Sequence, residues 1–500
     1  MAFFFPDQDG LRRVGADLGM DLTPAEAGSY HEFLSAVTPA LRMIEQLPEP
    51  APENKYPRTP GHRPDAADNP CNAWYYKTSI KGAPQGKLAG KRIAVKDNVF
   101  VAGVPLTNGA SILDGYVPET DATIVTRMLD AGAEIAGKSV AEYLCFSTSS
   151  STASTGPVEN PRAPGHTTGG SSNGSAALVA AHEVDMAIGA DQAGSIRMPA
   201  SFCGIVGHKP TYGLVPYTGV LGIEYCLDHV GPMADTVEEC ARLLEVIAGD
   251  DGIDGRQKNV RTQAYTEVLG QGVRGMRIAL VKEGFGRPES EPGVDKAVRE
   301  AAKRLQAQGA VVDEISIPWH NIGSALWLPI CIEGSYHNLA HAHGMGFYGV
   351  NGAYSLSFMR AIAGWKEHIN KLPPTIKGGL LTGEIFARHG GRLYAKARNL
   401  VQRLRAEYDA WLNQYDALLM PTTAMTATRL LPEDASPKEV LIASWGPVNN
   451  TCPFDISGHP AISVCCGTSE NKPVGLMLIG RHFEDATLFR VADAVHQKLD

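Results

Sequence analysis

The chain has 500 residues, of which 44% are hydrophobic and 20% are charged. This composition is typical of a globular protein with a large apolar core, and the length would suit about three average domains. The formal net charge of −9 at pH 7 argues against nucleic acid as the main partner. No apolar run is long enough to cross a bilayer, so we expect no membrane partner.

The nine cysteines are odd in number, and none of them forms a C-x-x-C pair. Both features argue against a disulfide framework and favour a reducing compartment. We therefore expect a cytoplasmic protein whose cysteines are mostly small core residues.

Residues 1–70 are predicted to form a helical domain separate from the rest of the chain. Thr23-Pro24-Ala25-Glu26 has the form of a capping box with proline at the first helical position. Pro39 is expected to kink or split the helix, and the proline-rich residues 48–70 are expected to be a linker. An apolar stripe follows the capping box at near-helical spacing, and it needs a partner surface, which predicts packing across a dimer. Its members are Phe33, Leu34, Val37, Leu41, Ile44 and Leu47.

Strands and helices alternate after Lys91, which predicts an α/β fold. Strands are predicted at 92–96, 133–137, 276–281, 311–317 and 474–479, and helices at 121–131 and 294–308. From about Gly323 the pattern weakens, which we interpret as a smaller inserted subdomain. The predicted division is a helical domain at 1–70, a core at 71–322, the inserted subdomain at 323–408, and the rest of the core at 409–500.

The glycine-rich residues 169–199 carry three candidate nucleophiles, Ser171, Ser172 and Ser195. Glycine lets backbone N–H groups crowd a substrate atom. One interpretation is a nucleophile elbow, because residues 170–174 match G-x-S-x-G with Ser172 at the centre. An elbow needs a preceding buried strand, but a loop-like segment rich in proline comes before this serine, so we do not favour this interpretation.

A metal site is a second alternative. Glu333, His337 and His341 are spaced i, i+4 and i+8, so a helix would place them on one face. The H-E-x-x-H pattern is absent, and Gly334 and Gly344 weaken a long helix. A polar face or pocket lining is the interpretation we prefer.

A third interpretation makes a lysine the base. Lys96 lies in Val95-Lys96-Asp97-Asn98, 75 residues before Ser171, and Ser195 follows Ser171 by 24 residues within GADQAGSIRMP. Together with residues 202–211 and 450–454, these motifs resemble the amidase signature family of serine hydrolases. The resemblance extends from about Lys91 to the C-terminus. It implies a large mixed sheet flanked by helices.

The resemblance implies a Ser-Ser-Lys triad without metal or cofactor. Ser195 would be the nucleophile, and Ser171 would relay its proton to Lys96, which is a base only when neutral. A cis peptide would join Gly170 to Ser171. The oxyanion would be held by N–H groups of Gln192, Ala193 and Gly194, together with that of Ser195. Ser172, Asp191 and Arg197 would hold these loops in place. For Asp191 and Arg197, a purely structural ion pair is an equally good explanation.

Two residues depart from the usual family pattern. Asn173 stands where glycine is usual, and it tolerates a positive φ better than most residues do. Ala193 replaces another glycine but keeps the backbone N–H. Four residues are predicted by resemblance to line the acyl pocket, although core packing is the ordinary role of most such side chains. They are Phe146, Gln192, Ile223 and Trp327.

The segment before the lysine indicates which kind of amidase this is. The amidase subunit of glutamyl-tRNA amidotransferase ordinarily lacks a long helical extension there, whereas this chain has residues 1–90. The chain therefore resembles stand-alone bacterial amidases, which are often homodimers and hydrolyse small-molecule amides to an acid and ammonia or an amine. The amidotransferase subunit remains an alternative, as does an aryl acylamidase or carbamate hydrolase of the same family.

Overall fold

The computed structural model describes residues 3–49, 53–345, 354–496 and 498. Parts of the predicted linker and inserted subdomain, residues 50–52 and 346–353, lie outside them. The chain divides into two compact units, Met1–Glu53 and Asn54–Asp500.

The first unit contains two helices, α1 (Gln8–Asp17) and α2 (Pro24–Gln46). The predicted capping box is present, because the Glu26 N–H donates to Thr23 Oγ1 and the Thr23 N–H donates to the Glu26 carboxylate. Pro39 is predicted to kink or split the helix, and α2 continues through it, so the helix is not split. Long apolar side chains remain exposed on both helices: Val14, Tyr30, Phe33, Val37, Met43 and Ile44.

The second unit is built on one sheet of 11 strands in the described part of the chain. In spatial order they run β1-β3-β2-β4-β6-β5-β10-β11-β9-β7-β8. Their bounds are β1 Trp74–Lys81, β2 Arg92–Lys96, β3 Glu134–Ser139, β4 Met186–Asp191, β5 Val206–Lys209, β6 His229–Ala234, β7 Arg277–Val281, β8 Val311–Ile315, β9 Ala417–Pro421, β10 Ala461–Ser469 and β11 Lys472–Ile479.

The sheet is mixed, as predicted. Strand β2 runs parallel to β3 and β4, and β7 runs parallel to β8 and β9, whereas the other neighbouring pairs are antiparallel. Every residue of β4 is buried. A strand covered on both faces has no polar alternation, which is why the sequence pattern did not reveal β4.

Helices pack against this sheet and against one another. Their bounds are α3 Thr123–Asp130, α4 Asn173–Ala180, α5 Arg197–Cys203, α6 Val237–Ile247, α7 Pro292–Ala307, α8 Gly323–His341, α9 Leu356–Ile362, α10 Pro374–Arg388, α11 Arg392–Leu412, α12 Pro437–Trp445, α13 Pro453–Ser457 and α14 Asp485–Val495. The predicted weak region after Gly323 contains α8 to α11 and is therefore largely helical. No helix among the described residues has the length and apolarity needed to span a bilayer.

Candidate active site

Two parallel strands bring the candidate residues to one edge of the sheet. Lys96 is the last residue of β2, and Asp191 is the last residue of its neighbour β4. Because parallel strands end at the same edge, the loop that leaves β4 toward Ser195 begins close to Lys96. The loop before α4 brings Ser171 to the same place.

Lys96 and Ser171 form a direct contact. The Lys96 Nζ lies 2.7 Å from Ser171 Oγ and 3.4 Å from the Ala190 carbonyl oxygen. Both residues are fully buried, and the peptide bond between Gly170 and Ser171 is cis, as the resemblance implied. Burial lowers the pKa of Lys96, which favours the neutral amine that a base requires.

The Ser172 hydroxyl is hydrogen-bonded to the backbone of β4. Its Oγ–H donates to the Ala190 carbonyl at 3.1 Å, and the Ala190 N–H donates back to Ser172 Oγ at 3.2 Å. The side chain is fully buried. It therefore fastens the Ser171 loop to the strand, and this geometry gives no support to the elbow interpretation.

Asp191 organises the loop that carries Ser195. Its carboxylate accepts N–H bonds from Gly194 at 2.6 Å and from Ile196 at 3.1 Å, and both of its oxygens accept from the Arg197 guanidinium at 2.9 Å. Burial opposes ionisation of Asp191, but Arg197 outweighs burial and holds the pKa of Asp191 below its usual value. Asp191 and Arg197 thus contact each other and the loop of Ser195, as both the loop-holding role and the structural ion pair would require.

The hydrogen bond from the Gly194 N–H to Asp191 changes the expected oxyanion site. This N–H is occupied by Asp191, so Gly194 does not have the free donor that we predicted for it. Gly194 has a φ of 129°, and a side chain there would collide with Thr451. Glycine is therefore required at this position for backbone geometry and close packing.

Ser195 lines a small cavity. The four predicted pocket residues line the same cavity, which also contains Ala193. They are Phe146, Gln192, Ile223 and Trp327. Trp327 also supports the loop, because its Nε1–H donates to the Gln192 carbonyl at 2.8 Å, while the Gln192 side-chain amide donates to the Tyr217 hydroxyl at 2.9 Å.

Several residues of this site were not predicted from the sequence. Asp455 accepts a hydrogen bond from Arg197 at 2.8 Å, and burial raises the pKa of this second carboxyl. Asp455 directly follows the motif 450–454, and this position was the one sequence feature that could have pointed to it. Cys145 and Trp445 line the cavity without any sequence signal, since both belong to residue types that usually pack in cores.

Asn173, the departure from the family glycine, begins helix α4 and needs no positive φ. The tolerance of asparagine for a positive φ is therefore not needed at this position. Its side-chain amide instead donates to the Glu142 carboxylate at 3.0 Å.

Glu333, His337 and His341, the residues of the alternative metal site, all lie on α8, but their ligand atoms do not converge on one point. The His337 Nε2 is 3.9 Å from the Glu333 carboxylate, and the His341 Nε2 lies 3.3 Å from the Tyr336 hydroxyl. These residues do not form a compact ligand set among the described parts of the chain.

Comparisons with known proteins assign the family. A family model described as Amidase matches residues 67–489. An enantioselective amidase from Rhodococcus rhodochrous is 42% identical over 491 residues, which cover 93% of each chain. A glutamyl-tRNA(Gln) amidotransferase subunit from Methanosarcina acetivorans is 36% identical, with 85% of this chain and 87% of that one covered. The X-ray structure of a native peptide amidase from Stenotrophomonas maltophilia matches with a TM-score of 0.69 and 29% identity over 82% of each chain.

The chain therefore belongs to the amidase signature family, and it is an amidase-type enzyme. The predicted family and fold class are confirmed.

Proposed function

We propose that this enzyme hydrolyses small-molecule carboxylic acid amides through an acyl-enzyme on Ser195. The observation that carries the proposal is the buried contact of 2.7 Å between the Lys96 Nζ and Ser171 Oγ. A serine hydroxyl is a weak nucleophile unless a base lies within reach. Here burial lowers the pKa of the lysine that would supply that base, and Ser171 would relay the proton of Ser195 to it.

In the first half-reaction, Ser195 Oγ attacks the amide carbonyl carbon. Its proton passes to Ser171, while Ser171 gives its own proton to neutral Lys96. The resulting oxyanion accepts hydrogen bonds from backbone N–H groups of Gln192, Ala193 and Ser195. When the C–N bond breaks, the proton returns from Lys96 through Ser171 to the leaving amine.

In the second half-reaction, water attacks the ester on Ser195 and loses its proton by the same route. The carboxylic acid leaves, and Ser195 recovers its proton. The aromatic and aliphatic walls formed by Phe146, Ile223 and Trp327 favour an aliphatic or aromatic acyl group. The same chemistry serves anilides and carbamates.

A second candidate is the amidase subunit of a tRNA-dependent amidotransferase, because the amidotransferase subunit from Methanosarcina acetivorans is 36% identical. The stand-alone amidase is favoured by the higher identity and wider coverage of the Rhodococcus relative. The test is ammonia release from simple aliphatic and aromatic amides by the purified protein alone. Activity that requires partner proteins and tRNA would instead support the amidotransferase subunit.

We also propose a homodimer and a cytoplasmic location. The apolar side chains exposed on α1 and α2 support the dimer, because such a stripe is stabilised by a partner surface. The nine free cysteines support a reducing compartment.

A further inference from the structure

A cluster of three potential metal ligands lies outside the proposed catalytic machinery. Asp409 is on α11, His459 follows α13, and His482 follows β11. One ligand atom from each residue lies within 4.8 Å of the others, and this is the one such group among the described residues. We propose that Asp409, His459 and His482 form a binding site for a divalent transition-metal ion of the Zn²⁺ class.

The hydrogen bonds around the two imidazoles support this assignment. The His482 Nε2–H donates to the Ser457 carbonyl at 3.1 Å, which leaves the lone pair of its neutral ring on Nδ1. The His459 Nδ1 lies 3.0 Å from Ser457 Oγ, and its Nε2 lies 3.0 Å from Asp409 Oδ1. Ser457 thus holds the outer nitrogen of each ring, as second partners do at metal sites.

Metal binding requires a change of tautomer in His459. Without metal, the Nε2–H donates to the Asp409 carboxylate. With metal, Nε2 becomes a ligand, and the ring proton sits on Nδ1 and donates to Ser457 Oγ. A hydroxyl can accept as well as donate, so both states are hydrogen-bonded and no proton is gained or lost.

The dimensions are compatible with a tetrahedral ion. Ligands at about 2.0–2.1 Å from zinc lie roughly 3.4 Å apart, so a set of ligand atoms within 4.8 Å of one another would close by at most about 1.4 Å. The Asp409 side chain is 47% exposed and can supply that movement and an entry path, whereas the His459 side chain is fully buried. Two imidazoles and one carboxylate favour Zn²⁺, Co²⁺ or Ni²⁺ over Mg²⁺ or Ca²⁺.

Two basic side chains close to the proposed site should lower its affinity for a metal cation. The Arg405 Nε–H donates to the Ser457 carbonyl at 2.9 Å, and the Lys209 Nζ donates to the His459 carbonyl at 2.7 Å. With one carboxylate against them, we expect weaker binding than at a cysteine-rich zinc site. The ion would join α11 to two loops that are distant in sequence, so we assign it a stabilising role separate from amide hydrolysis.

The test is calorimetric titration of the tag-free, full-length protein with Zn²⁺ after dialysis against a chelator. We expect one site per chain and a rise in melting temperature of about 2–5 °C with Zn²⁺ in large excess over Kd. Asp409→Asn and His482→Ala should each weaken binding at least about 10-fold, and Ser457→Ala about 10- to 100-fold. Asp409→Asn is nearly isosteric and half-exposed, so it remains informative if the His482 variant does not fold.

The matched control is the double variant His337→Ala/His341→Ala, which removes the alternative histidines of α8. This variant should bind Zn²⁺ as the wild type does. Absence of Zn²⁺ binding by the wild type would overturn the proposal. Binding that persists in Asp409→Asn and is lost in the α8 control would place the ion elsewhere and would overturn it equally.

Discussion

The Lys96 Nζ lies 2.7 Å from Ser171 Oγ, and neither side chain is exposed to solvent. Lys96 ends strand β2, whereas Ser171 lies on the loop before α4, so the contact joins two segments that are 75 residues apart. The Ala190 carbonyl lies 3.4 Å from the same amine. A neutral amine that donates to this carbonyl keeps its lone pair for the Ser171 hydroxyl, which is the direction needed for a base.

Alanine substitutions should rank the three serines and the lysine by role. Ser195→Ala should lower kcat by about 10⁴-fold or more, because the nucleophile is lost. Lys96→Ala should cost about 10²–10⁴-fold as the loss of a general base. Ser171→Ala should be severe but retain some activity, because water can replace the relay. Ser172→Ala should cost least, through the geometry of the loop alone.

Steady-state kinetics with a simple amide would check this order, with circular dichroism as the control for folding. A Ser172→Ala variant that loses more activity than Ser195→Ala would contradict the assignment and support the elbow.

Activity should rise with pH as the Lys96 ammonium loses its proton. Only neutral Lys96 can accept a proton, so kcat/KM should increase about tenfold per pH unit below its pKa and then level off. Because burial lowers the pKa of Lys96 from 10.5, the plateau should begin below that value. Lys96→Arg has no neutral form in this range and should be inactive throughout. An activity that falls as pH rises from 5 to 10 would be inconsistent with a lysine base.

How much of this site could be foreseen depends on where its residues lie in the sequence. Lys96, Ser171 and Ser195 sit in long local motifs, and strand Arg92–Lys96 has the bounds that its pattern predicted. Asp455 meets Arg197 across 258 residues, and no local pattern encodes that pairing. The role of the Gly194 N–H depends on a hydrogen-bond geometry that only the folded loop defines.

Helix α8 was missed for a different reason. Most of its first 12 residues are buried, so they show no polar face from which a helical period could be recognised. Pro329 and Gly334 add apparent breaks within it. Burial therefore removed the periodic signal on which the prediction depended.

Trp327 should act through its hydrogen bond as well as its ring. Trp327→Phe keeps an aromatic wall but removes the Nε1–H that donates to the Gln192 carbonyl. Loss of this hydrogen bond, worth about 1 kcal/mol, should loosen the loop from Gln192 to Ser195 that would hold the oxyanion. We expect kcat/KM to fall roughly 5-fold. Trp319→Phe, which alters a tryptophan outside the cavity lining, is the matched control. Equal kinetics for the two variants would refute a role for this bond.

The exposed apolar face of α2 should hold the proposed dimer together. Phe33 and Met43 are 69% and 59% exposed, so charges there should not disturb the interior of a monomer. The double variant Phe33→Asp/Met43→Asp should therefore be monomeric by light scattering, with Glu32→Gln on the same helix as the dimeric control. A dimer that survives the double substitution would place the interface elsewhere.

The most direct measurement of the central claim is mass spectrometry after labelling with a serine-directed fluorophosphonate. The probe reacts with an activated serine hydroxyl, and peptide mapping identifies which serine carries it. We predict a single label on Ser195, absent from Ser195→Ala and strongly slowed in Lys96→Ala. A label on Ser172, with Ser195 unmodified, would contradict the proposed mechanism.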